Sequence, residues 1–152
     1  MFKKQNQTKY TSESMTVRLE IPDFTNKMNG GPEEKVESPT FTIRGKELRI
    51  QIKPNDRNSK NIGVYLLNHS EDTITAKFTV KTIGRGQVQT VFRRREIKAN
   101  EEWGVADYKS HKEYRWFLKS EDDVFRLEFE VTLYFTAEDL DCPKKRYPVS
   151  SN

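Results

Sequence analysis

The chain is poor in the residues that most chemistry requires. A single cysteine, Cys142, excludes an internal disulfide and fits a reducing compartment. Only two histidines occur, His69 and His111, each in an expected loop among charged residues, and neither has a second His or Cys at ligand spacing. There is no Asp-x-Asp-x-Asp-Gly loop, no Gly-x-Ser-x-Gly elbow and no glycine-rich phosphate cradle; Gly-Arg-Gly at 84–86 reads as a hairpin turn. No enzyme, cofactor, metal or small-molecule substrate is therefore expected. No apolar run approaches the roughly 20 residues of a membrane span, and MFKKQNQTKY has no apolar stretch behind its lysines to make a secretory signal. The expectation is a cytoplasmic and/or nuclear protein with no membrane partner.

What the sequence does have is bulk for a core and a strict alternation. Its 152 residues fit one domain, and nine Phe, six Tyr and two Trp offset a hydrophobic content of 34% against 33% charge. Net charge is +4 from 27 basic and 23 acidic residues, enough for solubility and mild attraction to anions but not for a committed nucleic-acid surface. Val17, Leu19 and Ile21 alternate with Arg18 and Glu20; Leu48, Ile50 and Ile52 with Arg49 and Gln51; Ile74, Ala76, Phe78 and Val80 with Thr75, Lys77 and Thr79. In VFRLEFEVTLYF, Phe125, Leu127, Phe129, Val131, Leu133 and Phe135 share one face. Period two marks half-buried antiparallel strands. Turn-rich breaks at 29–32, 44–45, 54–61, 68–72 and 84–86 separate the runs, and no segment shows helical periodicity. The fold expected is all-β, an antiparallel β-sandwich of seven to eight strands over residues 15–136, with flexible tails at 1–14 and 137–152. Without heptads, it is expected to be a monomer in isolation.

Three charged stretches carry alternatives. Ser120–Asp123 (SEDD) reads as a turn whose Asp caps backbone amides. In FRRRE, Phe92–Glu96, strand parity sends Arg94 to the face opposite Arg93 and Arg95. The arginines either blunt an edge strand or, with the Lys-rich tail at 144–146, bind nucleic acid phosphates while Phe92 stacks on a base. In EEWGVADY, Trp103 follows Glu101 and Glu102 directly. It reads either as the first buried aromatic of a strand or as an anchor at the rim of a binding groove.

Taken in order, SPTFTIRGKELRIQIKPND, NIGVYLLNHSEDTITAKFTVKTI, EEWGVADY and FLKSEDDVFRLEFEVTLYF resemble the MATH domain (meprin and TRAF homology). Within that family, they are most similar to the domain of speckle-type BTB/POZ proteins. The resemblance implies an eight-stranded sandwich with a shallow groove for a short linear peptide motif, acting as substrate receptor or scaffold in ubiquitin-related or signalling assemblies. It places Tyr65, Phe78 and Trp103 in the groove wall, with Gly104 letting backbone pass close beneath, and Phe92 as the candidate for a further groove aromatic. Alternation alone puts Phe78 on the core face, so core and groove edge both stand open for it. The chain departs from the family at Val105, where an aromatic is usual, and at Glu101, Glu102 and Ala106, where two cations are replaced. Peptides carrying Lys or Arg beside an apolar anchor are then expected to be preferred. No BTB, coiled-coil or protease part is recognisable, so a free-standing protein, a fragment and a competitor for peptides are equally compatible. The rivals are a basic-surface nucleic-acid-binding domain and a purely structural interaction domain.

Overall fold

The computed structural model describes residues 10–84 and 89–136. Seven long strands and two short ones follow in chain order: β1 (Tyr10–Ile21), β2 (Val36–Glu37), β3 (Phe41–Ile43), β4 (Lys46–Lys53), β5 (Asn61–Asn68), β6 (Ile74–Thr82), β7 (Gln89–Ile97), β8 (Glu102–Ser110) and β9 (Phe125–Thr136). They form two antiparallel sheets, one ordered β1-β9-β6-β7 and the other β2-β4-β5-β8, with β3 also paired to β4. The alternation in the sequence accounts for both inner faces. Phe125, Leu127, Phe129, Val131, Leu133 and Phe135 of β9 are all buried, as are Ile74, Ala76, Phe78 and Val80 of β6 beside it. Leu48, Ile50 and Ile52 of β4 and Ile62, Val64 and Leu66 of β5 meet them from the second sheet, each at 0% exposure. The sandwich expected from period two is the fold observed.

Several details differ from the expectation. β1 begins at Tyr10 and pairs along its whole length with β9, from Tyr10 opposite Thr136 to Ile21 opposite Phe125, so residues 10–14 belong to the sheet and not to a tail. Residues 1–9 and 137–152, expected to be flexible, lie outside the described residues, and the Lys-rich stretch at 144–146 with them. Two short helices appear where no periodicity was legible. The first, α1 (Phe24–Met28), buries Phe24 and Met28. The second, α2 (His111–Glu113), runs into a π-helical turn, Tyr114–Leu118. His111 is accordingly buried and not a solvated loop residue: its Nε2 lies 2.6 Å from the Pro54 carbonyl. Burial lowers its pKa below the ordinary value, and the positive charges of Arg115 and Lys60 push it the same way. His69 is exposed, as expected.

Candidate functional site

The two sheets leave β7 and β8 as neighbouring edge strands, each hydrogen-bonded on one side only among the described residues. A short link, residues 98–101, carries the chain from one sheet to the other, and Asn68 fixes it. The Asn68 side-chain amide donates to the carbonyls of Ile97 (2.9 Å) and Asp72 (2.7 Å), while its backbone pairs with Glu101 and Asn100. Asn100 takes a left-handed φ of 64°, and the Glu101 carboxylate closes the turn by accepting from the Lys98 amide at 2.8 Å. Trp103 is thereby delivered as the second residue of β8, directly after the fixed link. Asn68 has no signal in the sequence beyond its turn-rich neighbourhood, and its role was missed.

Trp103 points inward from the edge and stops short of full burial. Its ring meets Phe78 edge-on at 5.2 Å and Phe92 at 5.8 Å, and those two stack at 4.3 Å. Phe78 is 0% exposed, so it backs the cluster from the core and walls no groove. Phe92, the candidate for a further groove aromatic, is buried opposite Phe78 in the register and its ring meets Trp103. Val105, opposite Val64, is half-buried against the same core. Trp103, Phe92 and Val105 thus line the seam between the two edge strands, with Phe78 behind.

Next to the rings lies positive charge. The register slips between Ala76 and Phe78, placing Ala76 opposite Arg95 and Phe78 opposite Phe92, so β7 carries an extra residue there. This bulge breaks the simple parity expected for the three arginines. It sets the Arg95 guanidinium 5.3 Å over the Trp103 ring, while Arg94 lies 4.7 Å over Tyr134. The aromatic faces attract these cations. Glu101 and Glu102, expected to be the charges that a partner meets, are both engaged within the domain. Glu101 holds its own turn, and Glu102 pairs with Lys53 at 2.7 Å.

Tyr65 is not part of the seam. Ile62, Val64 and Leu66 occupy the inner face of β5, and alternation sends Tyr65 to the outer face, opposite Gly104, while Trp103 stands opposite Leu66. The Tyr65 hydroxyl donates to the Asp56 carboxylate at 2.5 Å, and Lys53 Nζ sits 4.4 Å over its ring. Burial, reinforced by Asp56, raises the Tyr65 pKa far above the usual phenol range. Gly104 does allow close passage: a Cβ there would lie 1.8 Å from the Val64 carbonyl oxygen. Its role is to let β8 lie against β5.

Among the described residues no three metal-ligating side chains gather, and no helix is long and apolar enough to cross a membrane. Pockets of about 290 and 340 Å³ lie elsewhere, one around Lys46, His69 and Asp72 and one around Asn55, Lys60 and His111. The seam is a strip along two strand edges. Compared with known protein families, residues 16–131 match the MATH domain. No curated protein matches the chain.

Proposed function

The chain belongs to the MATH domain family, a family of interaction domains, and on that premise we propose that it receives an extended segment of a partner protein at the β7–β8 seam, with Trp103 as apolar anchor. The observation that carries this reading is the partly buried Trp103 backed by Phe78 and Phe92, at a place where two strand edges are unpaired among the described residues. An unpaired edge offers backbone groups to an added strand, and an aromatic anchor on a fixed mount concentrates binding energy. Glu101 and Glu102 being engaged, the charge set over the anchor ring is Arg95, and the segment preferred is acidic rather than basic. Affinity for a short peptide is expected on the order of micromolar, since an extended ligand must be ordered on a shallow surface. The domain acts without catalysis, as a substrate receptor or scaffold in ubiquitin-related or signalling assemblies of the cytoplasm or nucleus.

A peptide-display selection followed by titration tests the reading. Trp103→Ala, shown to be folded, should lose about thirtyfold in affinity for the selected peptides, the equivalent of about 2 kcal/mol. Wild-type affinity in that variant for every selected peptide would end the assignment.

A further inference from the structure

The turn that follows β8 carries two rings for which the core has no use. Trp116 and Phe117 are 70% and 61% exposed, although Tyr114 before them and Leu118 after them are buried. Ser110 and Glu113 cap each other reciprocally at the start of α2. Tyr114 is fully buried against Phe24 and Phe125, and its hydroxyl donates to Asp123 at 2.7 Å. Leu118 is buried, and the Lys119 amide returns to the Tyr114 carbonyl at 2.7 Å. The π turn therefore presents Trp116 and Phe117 outward on a fixed mount. Adjacent large apolar side chains held in solvent mark a contact surface.

The pocket beside the rings carries charge of one sign. Arg115, preceding Trp116, lines the pocket of about 340 Å³ together with Asn29, Asn55, Asn58, Lys60 and His111. No carboxylate lines it. Among the described residues, the side chains of Arg115 and Lys60 make no ion pair or hydrogen bond, and the buried His111 beside them feels their positive field. Lys112 and Lys119, both exposed, flank the rings. Nearby carboxylates are mostly engaged: Glu113 caps Ser110, Asp122 pairs with Arg126, and Asp123 holds Thr25 and Tyr114, which leaves Glu121.

We propose that this end of the sandwich docks on an anionic phospholipid bilayer, with a headgroup phosphate in the Lys60–Arg115 pocket and Trp116 and Phe117 in the interfacial layer. Aromatic rings favour that layer, and Lys and Arg beside them meet the phosphates just above it. The rings are exposed on the turn and the Lys60–Arg115 pocket, roomy enough to admit a headgroup phosphate, adjoins it, which suits a deformable layered surface better than a peptide. The absence of a membrane-spanning helix among the described residues has no bearing on a contact of this kind.

The test is co-sedimentation with phosphatidylcholine vesicles, with and without a minority of phosphatidylserine, alongside titration with inorganic phosphate followed by the NMR shifts of the His111 ring. Wild type should pellet with the phosphatidylserine vesicles only. Trp116→Ser/Phe117→Ser, whose exposed positions leave the thermal midpoint unchanged, should weaken that binding at least tenfold and leave the phosphate titration unaltered. Arg115→Glu should weaken both, by at least the roughly fivefold expected for one interfacial cation. Trp103→Ala should leave vesicle binding intact, which separates this surface from the peptide seam. Equal pelleting of wild type and both variants would overturn the proposal. Phosphate binding without vesicle binding would reduce the site to a free-anion pocket, and capture of an acidic peptide by the same residues without vesicle binding would make it a protein interface; either result also overturns it.

Discussion

At Gly104 the fold depends on a missing side chain. A methyl group there would overlap the Val64 carbonyl oxygen and come within 2.8 Å of the Tyr65 Cα, both backbone atoms that cannot swing aside. Gly104→Ala should part β8 from β5 and lower stability by about 1–3 kcal/mol or more, the usual range for overpacking. Urea unfolding checks it, and an unchanged midpoint would show that the strands have slack. Tyr65 is the companion test, because its two candidate roles separate cleanly. Its hydroxyl is a donor to the nearly buried Asp56 carboxylate. Tyr65→Phe should therefore cost roughly 1.5–3 kcal/mol of stability, as for a hydrogen bond to a charged group, while peptide affinity stays at the wild-type value. Loss of affinity without loss of stability would return Tyr65 to the binding surface. The sequence could not place this ring, since NIGVYLLN is apolar on both faces and parity has nothing to alternate against. Phe78 was the opposite case. Its alternation with Lys77 and Thr79 pointed to the core, and the core is where it lies.

At the scale of elements, legibility followed periodicity. β9 keeps one apolar face for its entire length, and every residue expected inside is inside. Phe129→Ala removes a fully buried ring from the middle of that face and should cost about 3–5 kcal/mol by denaturant unfolding. The segment HKEYRWFL was illegible for a physical reason. It anchors itself by His111, Tyr114 and Leu118 and turns Trp116 and Phe117 outward, so its apolar residues follow no single face. The bulge in β7 was equally hidden, because nothing in FRRRE marks which residue is extra. The same segment supplies a pH dependence. His111 is held neutral by burial, with Arg115 and Lys60 facing it, so its folded pKa lies below the ordinary 6.5. The unfolded chain then binds the proton more readily, and stability contributed by neutral His111 is present above 6.5 and lost as pH falls through that value towards the folded pKa. Asp123, whose pKa is lowered through its hydrogen bonds with Tyr114 and Thr25 despite the opposing effect of burial, adds its own loss only below 3.8. Thermal midpoints measured between pH 7 and pH 5 (about the window of His titration) should therefore decline in wild type and stay flatter in His111→Gln. Identical slopes would mean that the imidazole titrates freely in the fold.

Over the whole molecule, charge is nearly balanced and its placement does the sorting. Net charge is only +4, and exposed Arg93, Arg94 and Arg95 lie on an edge strand where charge also discourages strand pairing between molecules. Salt separates the two uses of these arginines. Phosphate-led nucleic-acid binding through 6–10 contacts would lose about 10³–10⁵ in affinity between 50 and 200 mM salt. A Trp-anchored peptide flanked by one or two cations should lose less than about tenfold, since each exposed pair contributes at most about 1 kcal/mol. Matched peptides with Asp or Lys beside the apolar anchor, titrated at both salt concentrations, give the sign as well. Wild type should favour the acidic peptide modestly, the preference should shrink as the Debye length shortens, and Arg95→Glu should reverse it. The reversal is the decisive arm, because Arg95 touches Trp103 while Glu101 and Glu102 are already bound within the domain. A basic preference that survives Arg95→Glu unchanged would mean that the glutamates let go of Lys98 and Lys53 to meet the partner, and the charge reading drawn from the free domain would be wrong.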